Sequence, residues 1–198
     1  MSEPLPPTLD QLPKGGLFRT SDGAEAEGSY AVFPLCEQAP AGGMRFLGTA
    51  FFLTTNGLFA TARHVVMRRE NEPHEPMVAM HMLPNNVFVM RPVLMIAPSR
   101  RYDVAVGALA PMIDPQRVEL RSKILTLTTR HPIPGEIAAT YAYPDTIAEG
   151  NEIHVYPAYA LGHIEATFPN GRDRTFLPGP CFQTSLVLLK ASWVRSAV

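Results

Sequence analysis

Two side chains in this 198-residue chain are placed where their types could do chemistry, His64 and Asp103. An imidazole titrates near neutral pH and can take and return a proton. The alternative for His64 is a packed, hydrogen-bonded core histidine. Asp103 opens an apolar run, Asp103-Val104-Ala105-Val106-Gly107-Ala108-Leu109. An ionised carboxylate beside such a run is costly unless a partner offsets its desolvation. The alternative for Asp103 is a turn-capping acid at a strand end.

The elements that must position these groups are legible nearby. Gly48-Thr49-Ala50-Phe51-Phe52-Leu53 is short, apolar and rich in β-formers, Asn56-Gly57 is a turn signal, and Leu58-Phe59-Ala60-Thr61 reads as a returning strand. Asn-Gly predicts a tight primed turn, because both residues accept positive φ. Ala62-Arg63-His64-Val65-Val66 follows and suits one helical turn. The hairpin thus holds His64 at the end of a β-element on a rigid frame.

The run from Phe46 to Val66, with Gly48-Thr49-Ala50-Phe51 and Thr61-Ala62-Arg63-His64-Val65-Val66, resembles the histidine segment of the trypsin-like (chymotrypsin-fold) serine peptidases. The Asp103–Leu109 run is similar to the strand that carries their catalytic acid. The spacing of 39 residues is near the ~45 of the chymotrypsin template. The resemblance implies a double β-barrel and acyl transfer to a serine. His64 would be general base and acid, and Asp103 would orient and stabilise its imidazolium. It covers roughly residues 30–192.

The same resemblance places the nucleophile about 90 residues after the acid. Ser192 lies 89 residues after Asp103, in Leu188-Leu189-Lys190-Ala191-Ser192-Trp193-Val194. The family pattern Gly-x-Ser-Gly-Gly is absent. Lys190 stands where a glycine is expected, and Trp193-Val194 stand where two more are. An oxyanion hole built from backbone N–H groups needs a turn that glycine adopts easily and lysine adopts with strain. Ser192 therefore reads equally as an ordinary serine. Ser185 is a weaker candidate, in a strand-like stretch. The family's last strands, which line the specificity pocket, are not matched, and a truncated or frameshifted end would account for that.

Composition narrows the remaining classes. The chain is 46% hydrophobic and 18% charged, with formal net charge −1, so no basic field is expected to attract nucleic acid and no acidic excess to repel it. Twenty prolines and fourteen glycines favour many turns and an all-β fold over a helical bundle. The two cysteines, Cys36 and Cys181, suit a reducing compartment better than a disulfide-rich secreted domain. No stretch approaches the ~20 apolar residues of a membrane helix, and residues 1–10 have no signal-peptide pattern. His74, His81, His131, His154 and His163 lack metal-ligand spacing, so neither a metal nor a cofactor is expected. The methionines between Met77 and Met95 read as core filler.

About ten short strands are expected, including 29–36, 77–82, 87–96, 123–129, 136–143 and 181–189, with 152–167 either one bent strand or a hairpin about Gly162. Pro34 places the first of these near an edge or a bulge. The expected division is a flexible leader over 1–28, a first barrel over 29–109 with His64 and Asp103, a connection over 110–122, and a partial second barrel over 123–198. The reading is a cytoplasmic, bacterial-type trypsin-like serine endopeptidase acting on a peptide or protein, without nucleic-acid or membrane partners. Oligomeric state is not readable from the chain. The alternative is a catalytically dead or truncated relative serving as a binding module.

Overall fold

The computed structural model describes residues 17–39, 42–69, 72–83, 87–113, 117–149, 152–173, 175 and 179–186. Six strands form a closed antiparallel barrel. They are β1 (Val32–Gln38), β2 (Met44–Phe52), β3 (Leu58–Thr61), β4 (Met77–Met82), β5 (Phe88–Pro98) and β6 (Ala105–Leu109). The order around the barrel is β6-β3-β2-β1-β4-β5. One helical turn, α1 (Arg63–Val66), follows β3 directly.

Alternating large side chains fill the barrel. Phe33, Leu35, Phe52 and Phe59 are fully buried, together with Val66 from α1 and Ala79 from β4. Phe33 packs on Phe52 with ring centroids 4.5 Å apart and meets Phe59 edge-on at 5.7 Å. Burial of each such side chain contributes about 1.5–3 kcal/mol relative to leaving it in water. Pro34 is tolerated inside β1 because pairing to β4 begins only at Leu35, and a bulge follows between Leu35 and Cys36.

Two buried charges tie the barrel together. Glu37 accepts hydrogen bonds from Arg45 Nε at 3.0 Å and Arg68 at 2.6 Å, and His74 Nδ1 lies 3.2 Å from it. Arg91 is buried on β5. It donates to the Ala110 carbonyl at 2.9 Å and to Ser122 Oγ at 3.1 Å, so it clasps the segment leaving β6. Both arrangements follow the rule that a buried charge needs partners.

Beyond the barrel lies a second, open sheet of three strands, β7 (Ile137–Ala142), β8 (Ala158–Phe168) and β9 (Cys181–Thr184), in the order β7-β8-β9. The fold is thus all-β, with one closed barrel and an incomplete second half. Leu161 and Phe182 remain about half exposed on this sheet. Tyr143, just after β7, is buried and anchors the sheet to the barrel: its hydroxyl donates to the Val32 carbonyl at 2.9 Å. Among the described residues no helix is long and apolar enough to cross a membrane. Cys36 and Cys181 are both free thiols, and burial pushes the Cys36 thiol up to about 12.

Several local expectations are corrected. The turn after β2 is not a two-residue primed turn. Only Gly57 has positive φ (105°), and the longer loop is closed by Leu53 N–H donating to Leu58 O at 2.8 Å. Thr54 Oγ1 also accepts from Leu58 N–H at 3.1 Å and bonds Asn56, offering the chain a wider loop. Residues 123–129 form no strand. Their ladder pairing is a single bridge, Thr20 to Leu125, beside one backbone hydrogen bond from Ser21 N–H to Ile124 O at 3.0 Å, and Leu127 stays exposed. The 152–167 stretch divides before Gly162. Glu152–His154 pairs with Ile147–Glu149, and β8 runs straight through the glycine. Leu17–Arg19 and Glu25–Glu27, read as part of the leader, pair as a hairpin in which Phe18 packs edge-on against Tyr141 and Tyr159. Residues 1–16 lie outside the described residues.

Candidate active site

Strand register brings the histidine and the acid together. β3 and β6 are antiparallel neighbours with Thr61 opposite Ala105. The chain leaving β3 and the chain entering β6 therefore meet at the same end of the barrel. His64 lies three residues beyond Thr61, and Asp103 two residues before Ala105.

Each side chain is aimed by its surroundings. Ala62 is extended and caps α1, whose Val65 N–H donates to Ala62 O at 3.1 Å. Val65 and Val66 face inward, leaving His64 outward. Gly48 on β2 permits this: a Cβ there would lie 2.6 Å from a Val65 methyl. On the other side, Ser99 organises the turn that presents Asp103. Its Oγ accepts from the N–H groups of Arg101 and Tyr102 at 3.2 and 3.1 Å, and its own N–H donates to Val104 O at 2.8 Å.

Asp103 holds His64 by two points. One carboxylate oxygen accepts the His64 backbone N–H at 3.0 Å, and the other lies 2.7 Å from ring Nδ1. Because a carboxylate only accepts, the ring's Nδ1 proton is directed to the acid, which leaves Nε2 as the ring nitrogen not engaged by Asp103. Partial desolvation raises the Asp103 carboxyl, but the hydrogen bonds and charge of His64 outweigh it and hold the group below its ordinary value. The side chains are 66% and 59% exposed, so the pair is open to solvent.

Two grooves flank His64. One, of about 450 Å³, is apolar and lies between β2 and the open sheet, with Phe46, Leu47, Tyr143 and Tyr159 in its walls. The other, of about 410 Å³, is polar and is lined by Arg63, Arg69, Arg100 and Arg101 beside Asp103. Neither was foreseen from sequence. Arg100-Arg101 beside Asp103 was the only local signal, because Arg63 and Arg69 arrive from another part of the chain.

The structure unites His64 and Asp103 but speaks differently of the serines. Ser192 lies outside the described residues. Ser185, just after β9, is engaged elsewhere: its Oγ accepts the His163 backbone N–H at 2.9 Å and lies 2.8 Å from His163 Nδ1. No carboxylate among the described residues hydrogen-bonds His163, so that contact lacks the orienting acid that His64 has.

No family model matches the chain, and no curated protein matches its sequence. Solved structures do. The HtrA-type protease AlgW, determined with a decapeptide, superposes with a TM-score of 0.54 at 16% identity, over 82% of this chain and 50% of that one. Deg5 superposes with a TM-score of 0.55 at 15% identity, over 82% of this chain and 71% of that one. The chain thus spans half the length of the AlgW chain. With its six-stranded closed barrel, open second sheet and His64–Asp103 pair at the barrel end, this chain has the fold of the trypsin-like serine proteases.

Proposed function

We propose that this chain is a trypsin-like serine endopeptidase domain that cleaves a peptide bond through an acyl-enzyme. The observation that carries the reading is the two-point grip of Asp103 on His64. A lone packed histidine would need neither an outward ring nor an acid on Nδ1. In this mechanism Ser192 Oγ attacks the substrate carbonyl carbon. His64 Nε2 takes the serine proton and returns it to the leaving amine, and Asp103 stabilises the imidazolium without itself being protonated. Water then repeats the sequence on the ester, releasing the acid product and restoring the serine. AlgW was determined with a decapeptide, which is consistent with a peptide ligand for this chain. We take the barrel with His64 and Asp103 as one unit and the chain after 110–122 as the second. The two free cysteines are in keeping with a reducing, cytoplasmic setting.

A second reading has its own support. Lys190, Trp193 and Val194 stand where the oxyanion turn calls for glycine. A protein that retains the grooves and the His–Asp pair but not the turn would bind peptides without cleaving them.

Labelling of the 198-residue chain with a fluorophosphonate probe separates the two. Labelling that disappears in both His64→Ala and Ser192→Ala establishes a working nucleophile and base. A folded chain that takes no label supports the binding module.

A further inference from the structure

The polar groove beside His64 carries an excess of positive charge that acyl transfer does not use. Arg63 begins α1, Arg69 ends the short strand after it, and Arg100 and Arg101 stand on the Ser99 turn, so two separate segments of chain bring four arginines to the lining of one 410 Å³ depression. The acid in its wall, Asp103, is committed to His64. Arg69 meets Glu72 at 3.7 Å, but its side chain is 81% exposed, and such a pair is weak. Among the described residues no carboxylate pairs with Arg100 or Arg101. Arg101 is held over the Tyr102 ring at 5.3 Å, which preorganises its fork for a ligand. A planar guanidinium binds carboxylates bidentately and is the side chain best suited to that task.

We propose that this groove binds acidic side chains of a peptide, and that the apolar groove on the other side of His64 receives an apolar side chain of the same peptide. His64 lines both grooves. The ligand is therefore a segment with Asp or Glu to one side of His64 and an apolar residue to the other. The inference rests on the peptidase reading for the position of the scissile bond, between those two kinds of residue. A peptide fits better than a nucleic acid. The arginines form one compact patch on a chain of net charge −1, whereas a nucleic-acid site needs a basic track that follows a phosphate backbone, and the adjoining groove is apolar.

The test uses the full chain and three fluorescein-labelled twelve-residue peptides that share an apolar half and differ in the other half, which is Glu-rich, Gln-rich or Lys-rich. Anisotropy titrations at low and high salt measure affinity, and the same samples are treated with the fluorophosphonate probe. The Glu-rich peptide is expected to bind about tenfold tighter than the Gln-rich one at low salt, with most of that advantage lost at high salt. Arg100→Gln/Arg101→Gln, at two exposed positions, should remove most of the advantage while its thermal melt matches wild type. Equal binding of the Glu-rich and Gln-rich peptides overturns the inference. So does a twelve-nucleotide oligo-dT that binds as tightly as the Glu-rich peptide, which would make the patch a general polyanion site. A chain that takes the probe without acidic preference loses this inference and keeps the peptidase reading. Acidic preference without labelling keeps this inference and removes catalysis.

Discussion

The Tyr143 hydroxyl donates to the carbonyl oxygen of Val32, 111 residues earlier in the chain, across 2.9 Å. This contact, with the Tyr143 backbone N–H on Thr49 Oγ1 at 3.3 Å, fastens the open sheet to the closed barrel and builds one wall of the apolar groove at His64. Burial pushes the phenol far above its ordinary value, so it remains a donor at any working pH.

Tyr143→Phe keeps the ring and deletes the donor, leaving the buried Val32 carbonyl without it. The expected cost is about 1–2 kcal/mol. In urea unfolding this should lower the midpoint with little change in slope. An unchanged midpoint would show that the contact does not hold the two halves together.

Asp103→Asn should separate orientation from stability. The exposed pair contributes little to folding, under about 1 kcal/mol. Loss of the carboxylate on Nδ1 should nevertheless slow fluorophosphonate labelling by a factor on the order of 10⁴, the scale seen for the orienting acid in the chymotrypsin type. A stable variant that labels at the wild-type rate would remove Asp103 from the mechanism.

Glu37→Gln should be among the costly single changes outside the site. The variant leaves Arg45, Arg68 and His74 without their shared buried anion, for a loss of about 3 kcal/mol. Desolvation raises the Glu37 carboxyl, but the hydrogen bonds from Arg45, Arg68 and His74 prevail and hold it at about 2, below its ordinary 4.5. A depressed carboxyl contributes stability that is fully present above pH 4.5 and lost as pH falls toward 2. Denaturant melts at pH 6, 4 and 3 should show wild type converging on the variant, and parallel curves would refute the assignment.

His81 acts in a different pH window. It is buried on β4 with its ring 4.7 Å from Phe52, and burial, followed by the charge of Arg91, lowers it from 6.5 to about 4. Between those values the unfolded chain binds the proton more readily, so stability falls as pH drops from 6.5 toward 4, by roughly 3 kcal/mol in total. His81→Leu should flatten that part of the profile and leave the Glu37 part below pH 4.5 intact. A wild-type profile already flat between pH 6.5 and 4.5 would count against it.

What the chain declares about itself is local. The apolar runs around Phe52 and Phe59, the single helical turn at His64 and the acid opening the 103–109 run can each be read from adjacent residues, because strand and turn preferences act over a few positions. The resemblance carried by those runs pointed to the trypsin-like fold. Residues 123–129 show the limit: a β-rich composition forms a strand only when a neighbour lies alongside, and here a single bridge at Leu125 is made.

What required the tertiary structure is every meeting of distant residues. The Thr61–Ala105 register, a property of the closed barrel, decides that His64 and Asp103 touch. Glu37 sits in an apolar strand with nothing nearby in sequence, apart from Arg45, to announce its partners. The closed sheet and the antiparallel pairing of Met67–Arg69 with Glu72–Pro73 bring Arg68 and His74 to it. The four arginines likewise gather because α1 and the Ser99 turn emerge at one end of the barrel. Side-chain type and local backbone preference are written in the sequence, whereas convergence in space is set by how the sheet closes.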